Sequence, residues 1–216
     1  MRKEVFVKDE YYHIYNRGVD KRLIFLDDRD KIRFINTLYI LNNFQNIPPN
    51  FDVVEFRSEA MLTPRDPMID FAAGCLMLNH YHFMARPLSD DSISKFLHKV
   101  GVSYTMYFNK RNERSGALFE STFKAKHIDR GEYSQYLTKY IHFNPKPLFQ
   151  TKSRIELMDV LVAYPWSTFG NYVGQKNNFS RLVNLDFRDT ILDMNADEYK
   201  KYCFDALEDD NFVDLV

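Results

Sequence analysis

Strand-like and helix-like segments alternate along residues 11–144, and that order limits the folds open to the chain. Residues 11–15, "YYHIY", read as a strand that breaks at the turn signal Asn16-Arg17-Gly18. A helix follows. Asp27 can cap it, Asp30 stands in its first turn, and Ile32, Phe34, Ile35, Leu38, Tyr39 and Leu41 give it an apolar face. The run "GCLMLNHYHFMARP", residues 74–87, reads as a buried strand ending near Arg86-Pro87. Ser92 is placed to cap a second helix, which carries Ile93, Phe96, Leu97, Val100, Tyr104 and Tyr107 and ends near Asn109. Residues 122–128 suggest another strand. A third helix starts near Asp129 and stops at Asn144-Pro145, because proline cannot continue the hydrogen-bond ladder. This order predicts an α+β protein, an antiparallel sheet with helices mainly on one face. Residues 42–67 mix turn signals with one possible short strand at 51–56, and residues 151–216 read as a smaller extension of turns and short helices.

The 216 residues suffice for one good core, and 45% hydrophobic with 27% charged residues is the balance of a soluble globular protein. No apolar run is long enough to predict a membrane span, and "MRKEVFVKDE" has no signal-peptide core, so a cytoplasmic protein is expected. Cys75 and Cys203 have neither metal-site spacing nor the look of a disulfide scaffold. A net charge of -1 argues against a generic nucleic-acid binder. It conceals a division, however. Residues 91–184 hold 14 Lys/Arg against 7 Asp/Glu, whereas residues 185–216 hold 3 against 10. Lys95, Lys99, Lys110, Arg111, Arg114, Lys124 and Lys126 supply the basic middle, with Arg17, Lys21 and Arg22 beside the first turn. Such groups position phosphates and make affinity salt-dependent. Phe119, Phe123 and Trp166 are expected to pack in the core.

Period-two alternation places His80 and His82 on one face of their strand and Tyr81 and Phe83 on the other. Two imidazoles so placed can share one divalent ion, or can simply lie on a solvated edge. The third helix offers further donors: Tyr136, Tyr140 and Asn144 recur every four residues and share a face. A tyrosine one turn from an amide oxygen can set a nucleophile beside a metal; tyrosines at helical spacing also pack.

The blocks "YYHIYNRGVDKRLIF", "CLMLNHYHFMARP", "SGALFESTFKAKHI", "LTKYIHFNPKP" and "YPWSTFGNY", spanning residues 11–172, resemble in content and order those of the IS200-like transposase superfamily. More narrowly they resemble its REP-associated tyrosine transposase branch. The resemblance implies a single-tyrosine HUH nuclease with a ferredoxin-like α+β core, which is expected in residues 1–150; the segment near 42–67 departs from the family pattern as an insertion, and residues 151–216 are expected to pack on the core as an extension. It implies Mg²⁺ or Mn²⁺ held by His80, His82 and Asn144, and Tyr140 as nucleophile. The implied activity is single-stranded DNA cleavage and strand transfer through a 5′-phosphotyrosine, at hairpin or repetitive extragenic DNA. A catalytically inactive DNA-binding module and a metal-dependent RNA or DNA hydrolase are the alternatives. A monomer is expected. Leu78 stands where the family carries proline, a change suited to a strand interior, and Asn144, before Pro145, is expected at a distorted helix end.

Overall fold

Tyr12, Ile14 and Tyr15, residue types that favour extended chain, make Tyr12–Arg17 the first strand, β1. It ends at Gly18, where a Cβ would collide with the Arg22 carbonyl oxygen, and the chain then turns through Asp20 (φ 55°) and Lys21 (φ 57°). The structure, a computed structural model, describes residues 5–45, 66–128, 131–151 and 153–207. Helix α1, Asp28–Leu41, begins at Asp27, whose carboxylate accepts from the Asp30 N–H as expected of a cap. Its buried Phe34, Ile35 and Leu38 face the sheet. The possible strand at 51–56 lies outside the described residues.

The apolar run 74–87 is not one strand. It is divided between two: β2, Ile69–Leu76, and β3, His80–Pro87, pair as an antiparallel hairpin. Leu78 therefore lies in the turn, 41% exposed, and not in a strand interior. Its carbonyl receives the N–H groups of Ile24 and Phe25, while the Asn79 carbonyl receives that of Gly18. The loop after β1 thus clasps the hairpin turn. A continuous apolar stretch hides such a turn because both flanking strands are buried.

Helix α2, Ser92–Arg111, follows, then β4, Lys124–His127. Ser92 is not the cap. Asp91 holds that position at φ 64°, with no side-chain capping bond, and Ser92 is buried inside the helix. The sheet order is β2-β3-β1-β4, every pairing antiparallel. With the element order β1-α1-β2-β3-α2-β4, β3 lies between β1 and β2, and β1 between β3 and β4. This is the split βαβ arrangement of a ferredoxin-like sheet.

Period two gives that sheet two different faces. Ile14, Tyr81, Phe83 and Ala85 point to α1 and α2, where Phe96, Leu97, Val100 and Tyr104 complete one core. Helices mainly on one face describes α1 and α2 only. Helix α3, Glu132–Phe143, packs on the other face, where Leu137, Tyr140 and Ile141 join Ala73, Cys75 and Met84 in a second core. Helices α4 (Arg154–Ala163), α5 (Phe169–Tyr172) and α6 (Ala196–Ala206) extend this core through Leu161, Phe169 and Tyr199. The chain before α5 also protects the β2 edge: Leu76 N–H donates to the Trp166 carbonyl at 2.8 Å and Thr168 N–H to the Gly74 carbonyl at 2.9 Å. Trp166 is buried, as expected. Among the described residues no helix is long and apolar enough to cross a membrane.

Candidate metal and nucleophile site

The site begins with the register of β1 on β3. Arg17 stands opposite His80, Tyr15 opposite His82, and His13 opposite Met84. Directly opposed residues share a face, so His13, Tyr15, Arg17, His80 and His82 all point toward the side covered by α3.

His82 is fully buried. Its Nδ1 lies 3.0 Å from His13 Nε2, with the rings stacked at 17°. Its Nε2 is buried without a hydrogen-bond partner among the described residues. Burial, then the neighbouring His13, His80 and Arg17, hold its pKa well below the ordinary imidazole value. Burial also pushes His13 down to about 4, helped by Lys126. Both rings are therefore neutral near pH 7, and each carries one N–H and one lone pair.

His80 meets an oxygen on either side: Asn79 Oδ1 is 2.7 Å from Nδ1, and Asn144 Oδ1 is 3.0 Å from Nε2. A neutral imidazole donates to only one of them. When Nδ1–H is given to Asn79, the lone pairs of Nε2 and Asn144 Oδ1 face one another, and a cation between them removes the repulsion. With the partnerless Nε2 of His82, whose ring centre is 5.1 Å from that of His80, this is a fitting donor set for a divalent ion. Among the described residues no group of three His, Cys, Asp or Glu side chains is arranged for a metal. Two imidazoles and one amide oxygen leave the remaining positions to water or phosphate. Imidazole donors favour Mn²⁺ over the harder, oxygen-preferring Mg²⁺.

Helix α3 brings the remaining groups. Asn144 keeps helical angles (φ -50°, ψ -35°) in spite of Pro145, so the helix end is not distorted and Tyr140 lies one regular turn before it. The Tyr140 ring meets His82 edge-on at 5.5 Å and His13 at 6.4 Å, and 3% of the residue is exposed. Tyr136 is half-buried, its ring beneath Lys139 Nζ at 5.8 Å. His142 turns away from the site. It bonds Tyr199 Oη and Thr168 Oγ1, each at 2.8 Å, and burial pushes its pKa down to about 3.

The basic candidates divide between the two sides of the sheet. Lys124 pairs with Tyr15 and Lys126 with His13 across β1–β4, so both belong to the histidine face, and both are exposed. Arg17 joins them with a buried Nε that has no hydrogen-bond partner among the described residues. Exposed Lys21 and half-buried Arg22 flank the hairpin turn, Asn79 Nδ2 donating to the Lys21 carbonyl at 3.2 Å. Lys95, Lys99, Lys110, Arg111 and Arg114 belong instead to α2 and its C-terminal turn, against the Tyr81–Phe83 face. Arg111 is committed to Asp27, at 2.6 Å, and to Asp30, and Arg114 to Asn109 and the Ala117 carbonyl. The two groups of cations are contiguous in sequence but face opposite ways.

His13 is the residue that sequence reading missed. Its signal was the same period two that singled out His80 and His82, since His13, Tyr15 and Arg17 alternate along "HIYNR". What joins it to them is strand register, which needs the third dimension.

No protein-family model matches the sequence, and no curated protein matches it. Among solved structures the fold is similar to that of a REP-associated tyrosine transposase bound to a REP hairpin, with a TM-score of 0.53 and 13% identity, covering 86% of this chain and 89% of that one. At that identity the likeness is one of fold, and it places this chain with an α+β architecture that a tyrosine transposase also adopts.

Proposed function

We propose that the protein is a metal-dependent, single-stranded DNA endonuclease and strand transferase of the REP-associated tyrosine transposase kind, acting at hairpin-containing DNA. The observation that carries this reading is the meeting, on one sheet face, of the partnerless His82 Nε2, the His80–Asn144 pair and the Tyr140 ring. The structural neighbour, a transposase bound to a DNA hairpin, supports the substrate class.

His80, His82 and Asn144 would hold Mn²⁺ or Mg²⁺, and the bound ion would polarise the scissile phosphate and stabilise its developing charge. Arg17, Lys21, Lys124 and Lys126 hold the strand. Tyr140 Oη attacks phosphorus; an O–P bond forms and the bond to the 3′ oxygen breaks. The phenolic proton is lost, the departing oxygen gains one, and a 5′-phosphotyrosine remains. A second DNA 3′-hydroxyl reverses these steps and joins strands without a nucleotide cofactor, because a phosphodiester is exchanged for a phosphodiester.

The burial of Tyr140 favours one alternative, a DNA-binding module without catalysis. Incubation of the full chain with labelled single-stranded hairpin DNA and Mn²⁺, then denaturing electrophoresis and peptide mass analysis, separates the two. We expect a covalent adduct on Tyr140 that disappears in Tyr140→Phe while DNA binding survives. An adduct on Tyr136, or one retained in Tyr140→Phe, refutes the nucleophile. No adduct from the unaltered protein across varied hairpins supports the binding module, and cleavage of RNA or DNA without an adduct supports a hydrolase.

A further inference from the structure

We infer that His13 is a positioning residue for the candidate metal site: by accepting the Nδ1 proton of His82, it leaves the His82 Nε2 lone pair directed at the ion. The inference rests on the reading of His80, His82 and Asn144 as metal ligands.

The geometry leaves two arrangements. The 3.0 Å contact between His13 Nε2 and His82 Nδ1 needs one proton between the two nitrogens. If His13 donates, the remaining proton of a neutral His82 sits on Nε2. That position is buried and has no acceptor, so an N–H there is an unsatisfied donor, and its lone pair is absent. If His82 donates, Nε2 is a bare lone pair, the form required of an imidazole ligand. A divalent ion binds only this second arrangement, so a fixed His13 acceptor removes the cost of selecting it.

The surroundings fix the His13 ring in place. It is 3% exposed, anchored on central strand β1 and stacked against Tyr15 with ring centres 4.9 Å apart. Tyr15 also stacks against His82 at 5.8 Å, and Tyr140 closes the site edge-on to both imidazoles. The rings therefore cannot turn independently. A hydrogen bond to the second nitrogen of a ligating histidine sets its tautomer and its basicity, and loss of such a partner typically weakens metal affinity ~10–100-fold.

The test uses the full chain, the variants His13→Phe and His13→Gln, and two readouts. Glutamine places a carbonyl oxygen near the position of imidazole Nε2, whereas phenylalanine fills the space and accepts nothing. Long-range ¹H–¹⁵N correlation of the metal-free protein reports the His82 tautomer, with His82→Ala providing the assignment. Electron paramagnetic resonance of free Mn²⁺ reports affinity. We expect Nδ1–H on His82 in the parent and in His13→Gln, and loss of that preference in His13→Phe. Mn²⁺ affinity should fall ~10–100-fold in His13→Phe and be largely restored in His13→Gln. His82 protonated on Nε2 in the parent overturns the inference, as does unchanged Mn²⁺ affinity in a folded His13→Phe protein. Should that variant fail to fold, the parent tautomer alone still decides. A parent with Nδ1–H that takes up no Mn²⁺ overturns the metal-site reading and the purpose assigned to His13, and the two failures are then distinct.

Discussion

At the scale of single residues, a neutral His80 and His82 leave the site with hydrogen-bonding positions that the protein does not pair. His80 stands between two amide oxygens, and among the described residues one buried nitrogen of His82 has no hydrogen-bond partner. Such a set is unfavourable by itself and favourable around a cation. His80→Ala and His82→Ala should therefore each reduce Mn²⁺ affinity by at least tenfold, a loss of ~1.4 kcal/mol or more, measured by calorimetric titration. His82→Ala also opens a cavity, so its melting temperature has to be read beside its affinity. Equal Mn²⁺ affinity in both variants and the parent would place the ion elsewhere. Arg17 is a second residue with unused capacity, its Nε buried and lacking a hydrogen-bond partner beside the histidines. Arg17→Gln should weaken single-stranded DNA binding without weakening Mn²⁺ binding, because the cation it removes repels positive charge at His82.

At the scale of secondary-structure elements, period two on β4 and a broad apolar stripe on α2 send neighbouring cations to opposite sides. The basic middle expected to position phosphates becomes a comparison between two pairs. Lys124→Gln with Lys126→Gln should reduce the salt dependence of DNA affinity by about 1.4 in log–log slope, since each single-strand phosphate that a lysine neutralises adds ~0.7. Lys95→Gln with Lys99→Gln should leave it nearly unchanged. A larger effect from the α2 pair would move the DNA track to the other face. The α1–α2 pair yields a test of stability. Asp27 caps α1 and meets Arg111 of α2, which, with Arg29 and the Asp30 N–H, holds its carboxyl well below the usual carboxylate range, against a smaller burial effect. A depressed folded-state pKa contributes stability above the unfolded value of about 4, and that contribution is lost as pH falls further. Asn is also a good cap, so Asp27→Asn keeps an oxygen for the Asp30 N–H but removes the charge and one acceptor used by Arg29 and Arg111. Melting curves should show the variant less stable than the parent at pH 7 and the difference shrinking below about pH 4. Asp27 is 38% exposed, so the effect at high salt should be small.

At the scale of the whole molecule, the second sheet face is completed by chain distant in sequence. His142 of α3 joins Tyr199 of α6 and Thr168, whose hydroxyl also accepts from the Gly74 N–H of β2 at 2.9 Å. One buried imidazole thus ties α3, the C-terminal helices and the sheet together, two residues from Asn144. Tyr199→Phe leaves the ring packing and deprives His142 of a partner; we expect a loss of ~1–3 kcal/mol in denaturant unfolding. A single transition in which Trp166 fluorescence and far-ultraviolet ellipticity coincide would show that residues 154–206 unfold with the sheet; separate transitions would show that they do not.

The residues of the chain by themselves determined the α+β class, the Asp27 cap, the stop at Pro145 and the same-face placement of His80 with His82 and of Tyr140 with Asn144. All are consequences of local stereochemistry and of periods of 2 and 3.6 residues, which act over a few neighbouring positions. The hairpin turn at Leu78 escaped the same reading because its flanking strands are both buried and so apolar throughout. The Ser92 cap failed because the backbone turned at Asp91, one residue early. Tertiary structure alone decided that helices cover both faces of the sheet, that Lys124 and Lys126 stand beside the histidines while Lys95 and Lys99 do not, and that His13 meets His82. Those facts depend on strand order and register, which are set by how two cores fill at once, and no short stretch of sequence records that.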